Sequence, residues 1–128
     1  LTYRELGDRI AAVGRALIAD AVQVGDRVCV LGFNSVDYAT IDMTLGQIGA
    51  VSVPLQTSAA ITQLQPIVTE TEPTLIAASV NQLTDAVALI RGATEAPRKL
   101  VVFDYHPQVD DERAALEGAV AALADTGV

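Results

Sequence analysis

Tryptophan is absent from this sequence, cysteine, histidine and methionine occur once each, and only five of the 128 residues are aromatic. Each shortage excludes something. A lone cysteine, Cys29, cannot close an internal disulfide, so the chain reads as the resident of a reducing compartment, the cytoplasm. A lone histidine, His106, cannot form a two-histidine metal site. Eight lysines and arginines stand against sixteen aspartates and glutamates, for a formal net charge of −8. The cations are scattered, with Arg98–Lys99 as the only adjacent pair. Tracking a phosphate backbone needs clustered cations, which argues against nucleic acid as a partner. No run approaches the ~20 apolar residues of a membrane-crossing helix, and no charged segment leads into an apolar one as in a signal peptide.

What is present is aliphatic. Half the chain is hydrophobic and 19% is charged, a balance that buries a core and argues against disorder. The apolar residues are mostly Ala, Val, Leu and Ile, as expected where helices cover a parallel sheet. Thr2-Tyr-Arg-Glu5 fits a capping box. Leu6, Ile10, Val13 and Leu17 follow at helical spacing, predicting a helix that ends near Asp20. Gly25-Asp26 marks a turn, and Arg27 to Leu31 reads as a strand buried on both faces. Asn34 or Ser35 can cap a second helix carrying Val36, Ala39, Met43 and Ile48 and ending at Gly49. Val51 to Val53 predicts a short strand stopped by Pro54.

A helical stretch from about Ile61 to Glu70 contains Pro66, which either kinks it or opens a shorter helix; the first reading is preferred. Thr74 to Ala78 predicts the third strand. Ser79 or Asn81 can cap a helix with Leu83, Val87 and Ile90 inward, closed by Gly92. Lys99 to Asp104 is the most strand-like run. A last helix starts at the acidic Asp110-Asp111-Glu112, with Leu116, Val120 and Leu123 on its inner face. Strands alternating with helices predict an α/β fold: a mostly parallel sheet of about four strands with helices on its faces. Residues 1–128 read as one piece. No initiator Met precedes Leu1, and both ends look like cuts in a longer protein.

In such a sheet, chemistry sits at the carboxyl ends of the strands. Gly32-Phe-Asn-Ser35 follows the first strand, but neither a three-glycine dinucleotide fingerprint nor a Gly-Lys-Ser/Thr phosphate loop occurs anywhere. Gly32 reads as a strand exit and Gly49 as a helix cap. Cys29, inside an apolar strand, reads as a small buried hydrophobe, and Met43 as core filler. His106, without a nucleophile or orienting group close in sequence, reads as a surface or packing histidine. Asp110, Asp111 and Glu112 could suggest a divalent cation, yet capping and the helix dipole already account for them. Ser35, Ser52, Ser58 and Ser79 lack a nucleophile-elbow context and a base.

Several segments in order carry a resemblance. Leu1-Thr-Tyr-Arg-Glu-Leu6, Gly25-Asp-Arg-Val28, Asn34-Ser35 and Leu45-Gly-Gln-Ile-Gly-Ala-Val-Ser-Val-Pro-Leu55 are similar to the opening landmarks of adenylate-forming enzymes, the acyl-CoA synthetase superfamily. Gly32 to Ala39, Val53 to Ala59, Glu70-Thr-Glu-Pro73 and Val102 to Pro107 with Asp110-Asp111 resemble carboxylic acid reductases in particular, proteins often described as fatty-acid–CoA ligases. The resemblance implies a partial adenylation (AMP-binding) domain over residues 1–128, within the large N-terminal subdomain. It implies a parent using ATP, Mg, phosphopantetheine and NADPH to turn a carboxylate into an acyl-adenylate, a thioester and then an aldehyde.

The phosphate loop, adenine motif, ribose-binding Asp and catalytic Lys of that family lie downstream of this region. No catalytic, cofactor-binding or metal residue is therefore carried over here, His106 and Lys99 included. The segment alone is expected to be inert, partnered by the remainder of its adenylation domain and able to self-associate through uncovered surfaces. The alternatives are part of a fatty-acid–CoA ligase, or a free-standing flavodoxin-like binding module with a crevice near Gly32 to Ser35.

Overall fold

The computed structural model describes residues 1–128 and contains five helices and four strands. They are α1 (Tyr3–Ala19), β1 (Arg27–Leu31), α2 (Val36–Gln47), β2 (Val51–Leu55), α3 (Ile61–Thr71), β3 (Leu75–Ser79), α4 (Leu83–Arg91), β4 (Lys99–Phe103) and α5 (Asp110–Leu123), with a 3₁₀ turn at Val80–Gln82. All strands are parallel, in the order β2-β1-β3-β4. The α/β class, the four parallel strands and the alternation agree with the sequence expectation.

Strand periodicity divides the core into two faces. Cys29 and Leu31 of β1 and Ile76 and Ala78 of β3 point one way, onto Leu64 and Val68 of α3, Ala86, Leu89 and Ile90 of α4 and Leu123 of α5. Val28, Val30, Leu75, Ala77 and Phe103 point the other way, onto Leu17 of α1 and Ile41 and Leu45 of α2. The central strands β1 and β3 are therefore covered on both sides, which explains their lack of polar alternation.

Local chemistry sets most boundaries. At α1 the capping box forms in full: Thr2 Oγ1 accepts the Glu5 N–H at 3.1 Å, and Glu5 Oε2 accepts the Thr2 N–H at 2.8 Å. Helix α2 is capped by Ser35, whose Oγ accepts the Tyr38 N–H at 3.0 Å. It ends in a Schellman motif: Ala50 N–H reaches Leu45 O at 2.9 Å while Gly49 takes φ of 79°. The same motif closes α1, with Val22 N–H donating to Leu17 O at 3.1 Å, but there Ala21 occupies the left-handed position at φ 66°.

Several expectations need correction. Met43 is 52% exposed and Val36 is also exposed, so neither fills the core. The buried face of α2 is Thr40, Ile41, Thr44 and Leu45. Two threonines can lie inside because each hydroxyl donates to a carbonyl one turn back, Thr40 to Val36 O at 2.7 Å and Thr44 to Thr40 O at 2.6 Å. Thr44 also sits where α1 comes close, and its methyl would lie 3.6 Å from a Cβ added at Gly14. Strand β2 is not stopped by Pro54 but runs to Leu55. Val51 N–H donates to Asp26 O, so alternate residues address β1 and position 54 faces the open edge, where proline forfeits no ladder bond.

Pro66 lies inside α3, which runs unbroken through it. Neither Ser79 nor Asn81 caps α4; a 3₁₀ turn intervenes, and Gln82 at the cap position makes no side-chain bond. The acidic residues of α5 occupy its first turn without capping, the cap position being Val109. Val120 is 64% exposed and not inward; Ala119 and Leu123 are the buried residues of α5. No helix is long and apolar enough to cross a membrane.

Candidate functional site

The strand order reverses at β1, since β2 lies on one side of it and β3 on the other. The crevice at the carboxyl ends of β1 and β3 is where a doubly wound sheet ordinarily binds its ligand. Here Gly32 leaves β1 and Ser79 ends β3. The ring of Phe103, from the end of β4, lies across them: a Cβ built on Gly32 would stand 2.7 Å from Phe103 Cζ and 3.3 Å from Ser79 Cβ. Phe103 is 5% exposed and meets the Tyr38 ring edge-on, centroids 6.1 Å apart at 70°. Gly32 is thus needed for close approach, and the ring, not open space, occupies the switch point.

Apart from the Ser79 hydroxyl, the polar groups named around this crevice are engaged within the fold. Asp37, in the first turn of α2, accepts the Asp104 N–H through Oδ2 at 3.0 Å, while its Oδ1 faces Arg9 Nη1 of α1 at 3.7 Å. One carboxylate thereby ties α1, α2 and the exit of β4. Asp104 sits at φ 53°, a conformation that Asp tolerates better than most residues, so the strand turns sharply there. Burial, and next the Asp42 carboxylate, push the Tyr38 hydroxyl above its usual range. The Ser79 hydroxyl is buried and makes no hydrogen bond. Beside these groups, an open cavity of about 350 Å³ is lined by Val13, Ile41, Val101, Phe103, Asp37 and Thr40 among others. Both of the polar residues named there are already engaged.

The sequence candidates fall in separate places. His106 lies on the surface after β4, and its Nδ1 is 3.1 Å from Glu112 Oε2. The same oxygen accepts the His106 backbone N–H at 2.6 Å, so Glu112 holds the loop against the start of α5. The orienting partner missing in local sequence is supplied by the turn, six residues on. Asp110 pairs with Arg113 and Asp111 stays exposed. No three of the His, Cys, Asp and Glu residues gather as a metal-holding group. Cys29 is wholly buried, and burial pushes its thiol up, partly offset by the Thr71 hydroxyl at 3.7 Å. Lys99 pairs with Asp20 at the end of α1. Ser35 is a helix cap; Ser52 and Ser58 lie on and just after β2, remote from His106 in the sheet order. The residue that sequence reasoning missed is Asp37, which accepts the Asp104 N–H. Its contact with residue 104 spans 67 positions, and no local pattern announces that.

Comparison with known proteins completes the description. The family model for AMP-binding enzymes matches residues 1–125. The chain is 61% identical, over its entire length, to a carboxylic acid reductase of Mycobacterium marinum, of which it spans 11%. The adenylation domain of a carboxylate reductase from Mycobacterium chelonae superposes on 99% of the chain with a TM-score of 0.94 and 42% identity. The adenylation domain of the reductase from Segniliparus rugosus, solved with AMP and a co-purified carboxylic acid, does so with the same score and 38% identity. The chain covers 20% of each of these two solved chains.

Proposed function

This chain belongs to the AMP-binding enzyme family, and from that premise we propose that residues 1–128 serve as scaffold within the adenylation domain of a carboxylic acid reductase. The observation that carries the reading is the match in length: 99% of this chain superposes at a TM-score of 0.94 on one fifth of a solved adenylation domain. The four-stranded sheet with its two helical layers corresponds to a portion of the N-terminal subdomain of that domain.

The residues present do not fit the family's small molecules. The switch-point crevice is filled by Phe103, no glycine-rich loop offers convergent N–H groups, and no acidic group of three could hold Mg. ATP, Mg, phosphopantetheine and NADPH are therefore assigned to the rest of the parent. There a carboxylate oxygen would attack the α-phosphorus of ATP and expel pyrophosphate. There too phosphopantetheine would supply the thiol that accepts the acyl group, and NADPH the reducing equivalents that convert a thioester to an aldehyde. In this scheme Asp37, the two Schellman motifs and the Phe103–Gly32 contact fix the sheet on which distant residues are hung. The parent is assigned to the cytoplasm.

Two measurements test this. The purified chain with ATP, Mg and a panel of fatty and aromatic acids releases no pyrophosphate. The same 128 residues, substituted for their counterpart in the Mycobacterium marinum reductase, retain acid-dependent pyrophosphate release. Turnover by the isolated chain, or a folded but inactive chimera, contradicts the assignment. The identity of 61% to reductases favours that reading over a fatty-acid–CoA ligase. Against a free-standing flavodoxin-like module stands the filled crevice; saturable flavin or nucleotide binding by the chain would restore it.

A further inference from the structure

We propose that Lys99 is a modification site: its side-chain amine takes an acyl group from an acyl-adenylate, and the change unties the end of α1 from the start of β4. The source of the adenylate rests on the functional reading above; the reactivity and the consequence rest on this chain alone.

The chain's nucleophiles leave one durable acceptor. Seven of the eight cations are arginines, whose guanidinium groups stay protonated and do not attack acyl groups. The one thiol, Cys29, is wholly buried. The His106 ring is on the surface, but an acyl-imidazole is itself an activated acyl donor and returns its load to water. Hydroxyl groups are poor nucleophiles without an adjacent base. Lys99 is the sole side-chain amine, and an amide formed there persists.

Its position gives the modification an effect. Lys99 opens β4, and its side chain is 54% exposed, so a small reagent reaches it without opening the core. Its ammonium pairs with Asp20, the residue that caps the C-terminus of α1, 79 positions away. A carboxylate at that end faces the negative pole of the helix dipole. Helix α1 has no basic residue of its own in its last turn, so Lys99 supplies the compensating charge. The neighbouring Arg98 Nη1 donates to Ala21 O at 3.4 Å, in the same left-handed turn. Residues 98 and 99 together tie the exit of α1 to the sheet.

The step needs no further reactant. When the ion pair opens, the ammonium gives one proton to water. The freed Nζ then attacks the carbonyl carbon of the mixed anhydride. A C–N bond forms, the C–O bond to the phosphate breaks, and AMP departs with the bonding electrons. The nitrogen's second proton passes to water. The resulting amide carries no charge and cannot pair with Asp20, which is left unopposed at the helix end. An adenylate that escapes unconsumed from the parent would in this way loosen the parent's own scaffold.

The test supplies synthetic benzoyl-adenylate to the chain, with Nα-acetyl-lysine in the same tube as the reference amine. Cleavage after Glu95 and Glu112 separates Lys99 from the Leu1 α-amine, and mass spectrometry reads the fragment. Lys99 is expected to be acylated, slower than the reference by no more than about fivefold, the effect of opening one exposed ion pair. The acylated chain and an unacylated Lys99→Gln variant should both melt roughly 1–4 °C below the parent, with the gap closing in high salt. Lys99→Arg keeps the parent's midpoint and takes no acyl group in that fragment. An unmodified Lys99 after the reference is consumed, or an acylated chain and a Lys99→Gln variant that melt with the parent, overturns the proposal. The chimera in the Mycobacterium marinum reductase, given ATP, Mg and benzoic acid, tests the source. A chimera that releases pyrophosphate yet leaves Lys99 unmodified overturns the proposal as well. An inactive chimera, beside a chain acylated by the synthetic reagent, discards the functional assignment and keeps the site.

Discussion

Replacing Gly32 by alanine should destabilise the sheet although it adds only one methyl group. Two effects of opposite sign compete. Alanine restricts the unfolded chain, which on its own stabilises by about 0.4–1 kcal/mol where the native backbone tolerates it. Gly32 has no left-handed φ, so its backbone tolerates alanine. The added Cβ, however, would lie 2.7 Å from Phe103 Cζ, 3.0 Å from Cε2 and 3.3 Å from Ser79 Cβ. Whether this matters depends on whether the ring can move. It is 5% exposed, seated among the buried residues of the α1–α2 face and braced edge-on by Tyr38. Overpacking a core in this way costs about 1–3 kcal/mol, which outweighs the entropic gain. Gly32→Ala is therefore expected to lose about 1–2 kcal/mol net in urea denaturation, a fall of roughly 3–8 °C in a domain of this size.

A double-mutant cycle makes the reasoning specific. Phe103→Leu alone loses about 1–2 kcal/mol through the cavity it leaves. Combined with Gly32→Ala it should cost less than the sum by about 1–2 kcal/mol, because the shorter side chain admits the new methyl. Single costs that simply add, or a Gly32→Ala protein as stable as the parent or more so, would show that the ring is free to shift and that Gly32 is not there to accommodate it.

Other consequences follow from the same contacts. Ala21→Gly should stabilise by about 0.5–1 kcal/mol, since the left-handed cost of ~1–2 kcal/mol at φ 66° exceeds the extra unfolded-state freedom of glycine; calorimetry checks it. Thr2→Ala removes the acceptor for Glu5 N–H and should cost about 1 kcal/mol, visible as fraying of the first turn of α1 in amide exchange. Cys29 should react with iodoacetamide only as fast as the fold opens. Because its folded value is raised above the ordinary 9.0, its contribution is complete below pH 9 and is lost as pH climbs beyond it, a loss absent from Cys29→Ala. Arg91 hydrogen-bonds Asp125 and holds its carboxyl below the usual 3.8. That contribution is present above the unfolded value and disappears as pH falls through the folded one, so parent and Asp125→Asn should converge in stability below that range, and high salt should narrow the difference between them.

The elements legible in advance were those whose causes are local. Thr2 and Glu5 are three residues apart and cap α1 whatever else the chain does. Gly49 follows the last helical turn of α2 and takes the left-handed conformation that any chain would want there. The aliphatic-rich runs read as strands at residues 27–31, 74–78 and 99–104 match β1, β3 and β4 to within a residue at each end. The inward faces of the outer helices were less legible. Met43 and Val120 are hydrophobic, yet α2 turns its threonines inward against α1 while α5 leaves Val120 exposed. Pro54 was misread because a proline halts a strand only where its missing N–H would have met a partner, and at the sheet edge none exists.

The alternation of hydrophobic runs and turn signals determined, unaided, that this protein would be a parallel α/β layer and not a bundle or a sandwich, because side-chain period and backbone hydrogen bonding are settled within a few residues. Which strand lies beside which, that Phe103 would close the switch point over Gly32, and that Asp37 would reach Asp104 were decided only in the tertiary structure. Those outcomes depend on distances between residues tens of positions apart, and a linear sequence records no distances.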